Sequence, residues 1–133
     1  MEQVIDKVMD ETESLIYYQS EANRLAEHYQ IKRPTVKFSW SRGGYYSPHL
    51  QLIKLPRRKI PTPKALRDSF LHEFAHHLNS ARGGQMHDAG FKRSMWSVAT
   101  YYYGDPLAYN WRQDYPNVKK YFERRVKDTK GTN

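Results

Sequence analysis

His72, Glu73 and His76 form a His-Glu-x-x-His run within His72-Glu73-Phe74-Ala75-His76-His77. On an α-helix, residues four apart share a face, so the two imidazoles can converge on one metal ion with the Glu73 carboxylate beside them. Neutral imidazoles suit zinc, and a carboxylate so placed can take a proton from a zinc-bound water, which is the chemistry of a zinc hydrolase. A run this short also occurs by chance on the solvent face of a helix, so the surrounding residues must decide.

A catalytic zinc takes three protein ligands and keeps one open position, so a third donor has to come from beyond these two helical turns. His87 is the expected donor. It follows Arg82-Gly83-Gly84-Gln85-Met86 and opens His87-Asp88-Ala89-Gly90-Phe91, after which Phe91, Met95, Val98 and Tyr102 trace one apolar helical face. The long metzincin pattern would need Gly and His where Asn79 and Arg82 stand. No Glu occurs between Glu73 and Glu123, so a glutamate third ligand is not expected. Asp88 is the alternative donor, although a carboxylate at a helix start more often caps the helix or orients a histidine. His77 lies about 100° around the helix from His76 and is expected to point away from the metal. His28 falls on a polar helix face, and His49 in a strand-like segment reads as an ordinary surface histidine before a substrate contact.

The elements that must hold these residues follow from local signals. Thr62-Pro63 makes an N-cap and first turn, and Leu66, Phe70, Phe74 and Leu78 recur every four residues until Gly83-Gly84. This predicts an amphipathic helix over 63–82, with its apolar stripe on the core and its histidines on a cleft. Upstream, residues 2–29 read as one helix or two, with Leu15, Ala22, Leu25, Ala26 and Tyr29 facing inward. Val36, Phe38 and Trp40 alternate with Lys37 and Ser39, Gly43-Gly44 turns the chain, and about 49–55 supplies a second strand. That second strand is the expected edge for an extended peptide substrate, which would add to it through main-chain hydrogen bonds. Gly104-Asp105-Pro106 breaks the chain before a last charged helix over about 115–128. The fold class is therefore α+β: an N-terminal helix, a short antiparallel-type sheet, the active-site helix and packed C-terminal helices. Tyr101, Tyr102, Tyr103 and Tyr109 are all open as donors to a developing oxyanion.

With 133 residues and 38% apolar content, the chain is expected to form one domain spanning 1–133 and to be monomeric. It has no cysteine, which excludes disulfides and a thiolate zinc site. No apolar stretch of membrane-spanning length and no signal peptide is read, so a cytoplasmic location and no membrane partner are expected. The net charge is +8, and residues 1–14 hold five acids against one base, so the rest is more basic still. Arg57, Arg58, Lys59 and Lys64 lead into the active-site helix, and Lys119, Lys120, Arg124 and Arg125 crowd the last one. With eleven tyrosines and three tryptophans, such a chain suits phosphates tracked by cations and unpaired bases stacked on rings, so DNA is an expected partner, single-stranded DNA above all.

The run His72-Glu73-Phe74-Ala75-His76-His77-Leu78, then His87-Asp88-Ala89-Gly90-Phe91, preceded by Gly43-Gly44-Tyr45-Tyr46 and Leu50-Gln51-Leu52-Ile53-Lys54-Leu55, resembles the SprT-like zinc metalloproteases, which include the Spartan-like proteases of DNA-protein crosslinks. The resemblance centres on about 35–103. It implies a zincin-like fold, one Zn2+ held by His72, His76 and His87, Glu73 as the base, and a protein or peptide substrate bound or crosslinked to DNA, with nucleoid or DNA association to match. The chain departs from the pattern in Asp88 after His87 and in lacking a cysteine zinc ribbon. Two other readings stay open. One is a zinc peptidase of repressor-cleaving or minigluzincin type that acts without DNA, and the other is a non-catalytic zinc-containing DNA-binding protein.

Overall fold

The computed structural model describes residues 10–39, 43–56 and 62–131, with side chains through residue 128. Helix α1 (Glu11–Tyr29) starts in a capping box: the Asp10 carboxylate accepts from Glu13 N at 2.7 Å and the Glu13 carboxylate from Asp10 N at 3.2 Å. Its inward face is Tyr18, Ala22, Leu25 and Ala26, with Leu15 only partly covered. Gln30, in the left-handed conformation, ends it four residues before Pro34.

Three short strands follow: β1 (Thr35–Ser39), β2 (Tyr45–Ser47) and β3 (Leu52–Pro56), in the spatial order β1-β3-β2. β2 and β3 are antiparallel, but β1 runs parallel to β3, with Val36 opposite Ile53 and Phe38 opposite Leu55. The sheet is therefore mixed rather than antiparallel in type. Alternation along Val36 and Phe38 reports which side faces the core and carries no information about strand direction. Direction was decided by Tyr45–Ser47, which takes the hairpin position beside β3 through a turn at Pro48–Gln51, leaving β1 the opposite edge. Leu50, expected in a strand, sits in that turn and is 70% exposed. The apolar run Leu52, Ile53, Leu55 is that of a central strand covered on both faces. β3 thus has no free edge for a substrate. The outer edge of β1 is engaged by Gln19, whose amide accepts from Val36 N and donates to the Pro34 carbonyl. β2 is the open edge among the described residues.

Helix α2 (Pro63–Ala81) packs on β2 and β3 and against helix α3 (Ala89–Tyr103). Thr62 caps α2 by accepting from Ala65 N, and Pro63 opens its first turn. At 19 residues it runs for about 28 Å. Phe70, Leu71, Phe74, Ala75 and Leu78 are fully buried along it, and Phe91, Met95, Val98 and Ala99 of α3 meet them. Two 3₁₀ turns, Pro106–Ala108 and Trp111–Gln113, lead to helix α4 (Pro116–Gly131), which adds Val118 and Phe122 to the core. No described helix is long and apolar enough to cross a membrane.

Phe70 packs on Tyr18 and Phe74 at the centre of this core. Phe70→Ala is expected to destabilise the protein by about 3–5 kcal/mol. Leu50→Ala in the exposed turn is expected to change stability by less than about 0.5 kcal/mol. Urea unfolding midpoints of the two variants check both.

Candidate metal centre

One helical turn separates His72 from His76, and the edge between α2 and α3 brings His87 to face both. The Nε2 atoms of His76 and His87 are 3.0 Å apart, and those of His87 and His72 are 3.4 Å apart. All three lie within 4.8 Å of one another. Donors on a tetrahedral zinc with bonds of 2.0–2.1 Å would sit roughly 3.3 Å apart, so the spacing fits a metal ion.

Hydrogen bonding on the far side of each ring fixes what faces inward. His72 Nδ1 lies 3.2 Å from the Asp114 carboxylate and 3.3 Å from the Tyr109 hydroxyl. A carboxylate only accepts, so Nδ1 carries the proton and Nε2 presents a lone pair. Tyr109 in turn donates to Asp114. The His76 ring donates to the Met86 carbonyl, which leaves its Nε2 lone pair turned toward His87. Lone pairs converging on one point are what a cation satisfies, and a carboxylate behind a ligand histidine is the usual device for holding its tautomer.

Electrostatics agree. Burial, together with the neighbouring His72 and His87, pushes His76 down to about 3, and burial with His72 also lowers His87, so both are neutral near pH 7. Burial opposes charge on His72 as well, but the hydrogen bond and charge of Asp114 outweigh it and raise the imidazole. For Asp114 burial acts upward, and the His72 hydrogen bond and charge hold it low. Glu73 is pushed up to about 7, chiefly by burial. The residue is only 6% exposed, and its carboxylate accepts no hydrogen bond from the described residues. A buried polar group without a partner is rare and marks a site built for something else. Glu73 and His72 line an open cavity of about 450 Å³ with Ser69, Tyr109, Asp114 and Tyr115. On the sheet side Gly44 passes so close that an added Cβ would stand 3.3 Å from Glu73 Oε2 and 2.9 Å from the Lys54 carbonyl oxygen.

The short α2–α3 joint positions His87. Asp88 accepts from Gly90 N, Phe91 N and the Asn79 amide through one oxygen and from Gln85 N through the other. It caps α3, and it is the His87 side chain that lies beside His72 and His76. The Asn79 amide fills the turn so tightly that a Cβ on Gly84 or Gly90 would stand 2.3 or 2.5 Å from its oxygen. Asn117 donates to the His87 carbonyl, Phe91 stacks on His76 at 4.2 Å, and Tyr115 lies against His87 with ring centroids 3.7 Å apart.

Other histidines stay away from the centre. His77 Nε2 donates to the Lys32 carbonyl and its Nδ1 accepts from the Tyr46 hydroxyl. His28 is exposed and stacked on Tyr101, and His49 is exposed in the turn after β2. Among the basic residues, Lys64 is ion-paired to Asp68 at 2.6 Å. Lys119, Lys120, Arg124 and Arg125 are exposed on α4, with Arg125 over the Trp96 ring. Arg57, Arg58 and Lys59 lie outside the described residues. Sequence reasoning missed Asp114 and Tyr115. Asp114 falls between the Gly104–Pro106 break and the last helix, Tyr115 at that helix's expected start, and Asp114 meets His72 across 42 residues. Of the four tyrosines left open, Tyr109 reaches the centre, while Tyr102 bonds Tyr17 and Tyr103 bonds Asp68.

No protein-family model matches the chain, and neither a curated protein nor a solved structure does.

Asp114→Asn is expected to weaken metal binding about 10–100-fold, and His87→Ala to weaken it further, because the first loses an orienting carboxylate and the second a donor. Asp88→Ala should keep the metal and loosen the start of α3. Competition with a chromophoric chelator measures all three, and loss of metal from Asp88→Ala alone would reverse the assignment of the third ligand.

Proposed function

We propose that the protein is a zinc-dependent endopeptidase of the SprT-like type, and the observation that carries this reading is Glu73. Three converging imidazoles alone would serve a structural metal, which has no use for a buried carboxylate that no described residue hydrogen-bonds and that opens on a cavity beside them. That argument also weighs against a non-catalytic zinc protein. Zinc, when bound by His72, His76 and His87, supplies a Lewis acid for a carbonyl and acidifies a water.

The chain's own residues do the rest. Glu73 takes the proton of the attacking water on its carboxylate and returns it to the amine that leaves, and the basicity it gains from burial suits both transfers. Asp114 holds His72 in one tautomer and one orientation throughout. Extended substrate adds to the open edge of β2, not to β3 as the sequence suggested, because among the described residues the strand edge left unpaired beside α2 is Tyr45–Ser47. A cavity of about 270 Å³ lined by Tyr46, Pro48, His76 and Met86 joins that edge to the histidines, and the polar cavity at Glu73 is lined by His72. Substrates attached to DNA are supported by the net charge of +8 and by the exposed cations of α4. A peptidase that needs no DNA is the reading that remains if those cations bind no phosphate.

Glu73→Gln is expected to retain one zinc per chain and the native fold, and to lower cleavage of denatured casein about 10²–10⁴-fold. Parental turnover in that variant would remove Glu73 from the mechanism. Replacing Lys119, Lys120, Arg124 and Arg125 together by Gln is expected to weaken single-stranded DNA binding for every sequence and to flatten its salt dependence, with zinc content unchanged. Fluorescence anisotropy over a salt series measures this, and an unchanged slope would assign those residues to solubility.

A further inference from the structure

Peptide hydrolysis turns a planar carbonyl into a tetrahedral carbon bearing a negative oxygen, and a fixed donor aimed at that oxygen is worth as much as the base. Resting on the peptidase reading above, we propose that Tyr115 is this donor and therefore a catalytic residue. The inference comes from where the tyrosine hydroxyls are spent. Tyr109 gives its hydroxyl to Asp114 and is 5% exposed. Tyr17 and Tyr102 bond each other, Tyr103 bonds Asp68, Tyr46 bonds His77 and Tyr29 bonds Ser97. Tyr115 alone among the described tyrosines combines a ring against the histidine cluster with a hydroxyl that no described residue engages. Its ring centroid is 3.7 Å from that of His87 and 5.9 Å from that of His72. It is half exposed, at 50%, and it lines the cavity that Glu73 opens on.

Its backbone is hydrogen-bonded on both sides. Tyr115 N–H donates to Asp114 Oδ1 at 2.7 Å, its carbonyl accepts from Lys119 N at 2.9 Å, and Pro116 starts α4 directly after it. One carboxylate therefore orients both partners: Asp114 Oδ2 holds the His72 ring and Oδ1 holds the Tyr115 backbone. The exposed ring leaves the hydroxyl to a substrate carbonyl oxygen.

In the reaction the water oxygen bonds the carbonyl carbon and its proton passes to Glu73. The carbon–nitrogen bond then breaks as that proton reaches the amine. The phenol donates a hydrogen bond to the carbonyl oxygen while charge builds there and keeps its own proton throughout.

The test separates the hydroxyl from the ring. Tyr115→Phe keeps the contact with His87 and removes only the donor. With denatured casein, it is expected to lower kcat about 10²–10³-fold with KM little changed and zinc stoichiometry unchanged. A phosphinic pseudopeptide built on a casein cleavage site mimics the tetrahedral oxyanion, and its affinity for Tyr115→Phe is expected to fall by a similar factor. Binding of the uncleaved parent peptide, measured in the Glu73→Gln background, should not change. Parental kcat and parental phosphinic affinity in Tyr115→Phe, with zinc lost only from Tyr115→Ala, would overturn the proposal and assign the ring to packing on His87. If the zinc-loaded parent protein neither cleaves casein nor binds the phosphinic peptide, the peptidase reading itself fails, an outcome distinct from the first.

Discussion

Helix α2 has to satisfy two environments at once, because the side that buries Phe70, Phe74 and Leu78 leaves a row of polar groups with almost no exposure. Arg67, Asp68, Glu73, His76, His77 and Asn79 are all buried on this one helix. Each buried polar group needs a partner or costs stability. Asp68 finds Lys64, Tyr103 and the Asn110 N–H, Arg67 finds Tyr103, His77 finds Tyr46 and the Lys32 carbonyl, and Asn79 finds Asp88. What is left over is the Glu73 carboxylate and the inward nitrogens of the histidines. The residue of the polar accounting on α2 is thus the site itself, and the surrounding elements are arranged around those partners.

The same accounting explains why the α2–α3 joint is so short. Asn79 ends its helix by reaching Asp88, Asp88 starts the next helix with its remaining acceptor capacity, and Gly84 and Gly90 clear the space that the Asn79 amide occupies. His87 is the residue just before that cap, so its approach to His76 is set by the cap geometry rather than by a flexible loop. Asn79 stands where a longer ligand motif would need glycine. Here the amide takes over the bracing, and the third histidine comes from the joint just ahead of the next helix instead of a continuation of the same turn.

How much of this could be read beforehand follows the range of each interaction. The helices over 63–82 and about 115–128 were legible because caps and four-residue spacing act within a few residues, and His72, His76 and His87 were legible as a cluster because metal chemistry restricts both residue type and local spacing. The parallel pairing of β1 and the central place of β3 were not, since Val36 and Phe38 alternate alike in either direction and Tyr45–Ser47 is too short to announce itself as a strand. Asp114 was invisible for a different reason. A carboxylate behind a ligand histidine is a general expectation, but the chain holds fourteen acids and only the fold selects the one that meets His72.

Charge in the cluster is balanced by opposing tendencies. His76 is depressed from its ordinary 6.5 to about 3, so its contribution to stability is complete above 6.5 and is lost as pH falls toward 3. Glu73 is raised from 4.5 to about 7, so its contribution is complete below 4.5 and is lost as pH rises toward 7. Between 4.5 and 6.5 the two slopes have opposite sign and offset each other. A cation held by the histidines alters both. It competes with the proton for lone pairs that burial has already left unprotonated, and its charge draws the Glu73 carboxyl toward the ionised form that can act as a base. Burial thus leaves His76 and His87 unprotonated and able to act as ligands, whereas His72, raised by Asp114, and Glu73 are the groups whose charge state a bound cation would change.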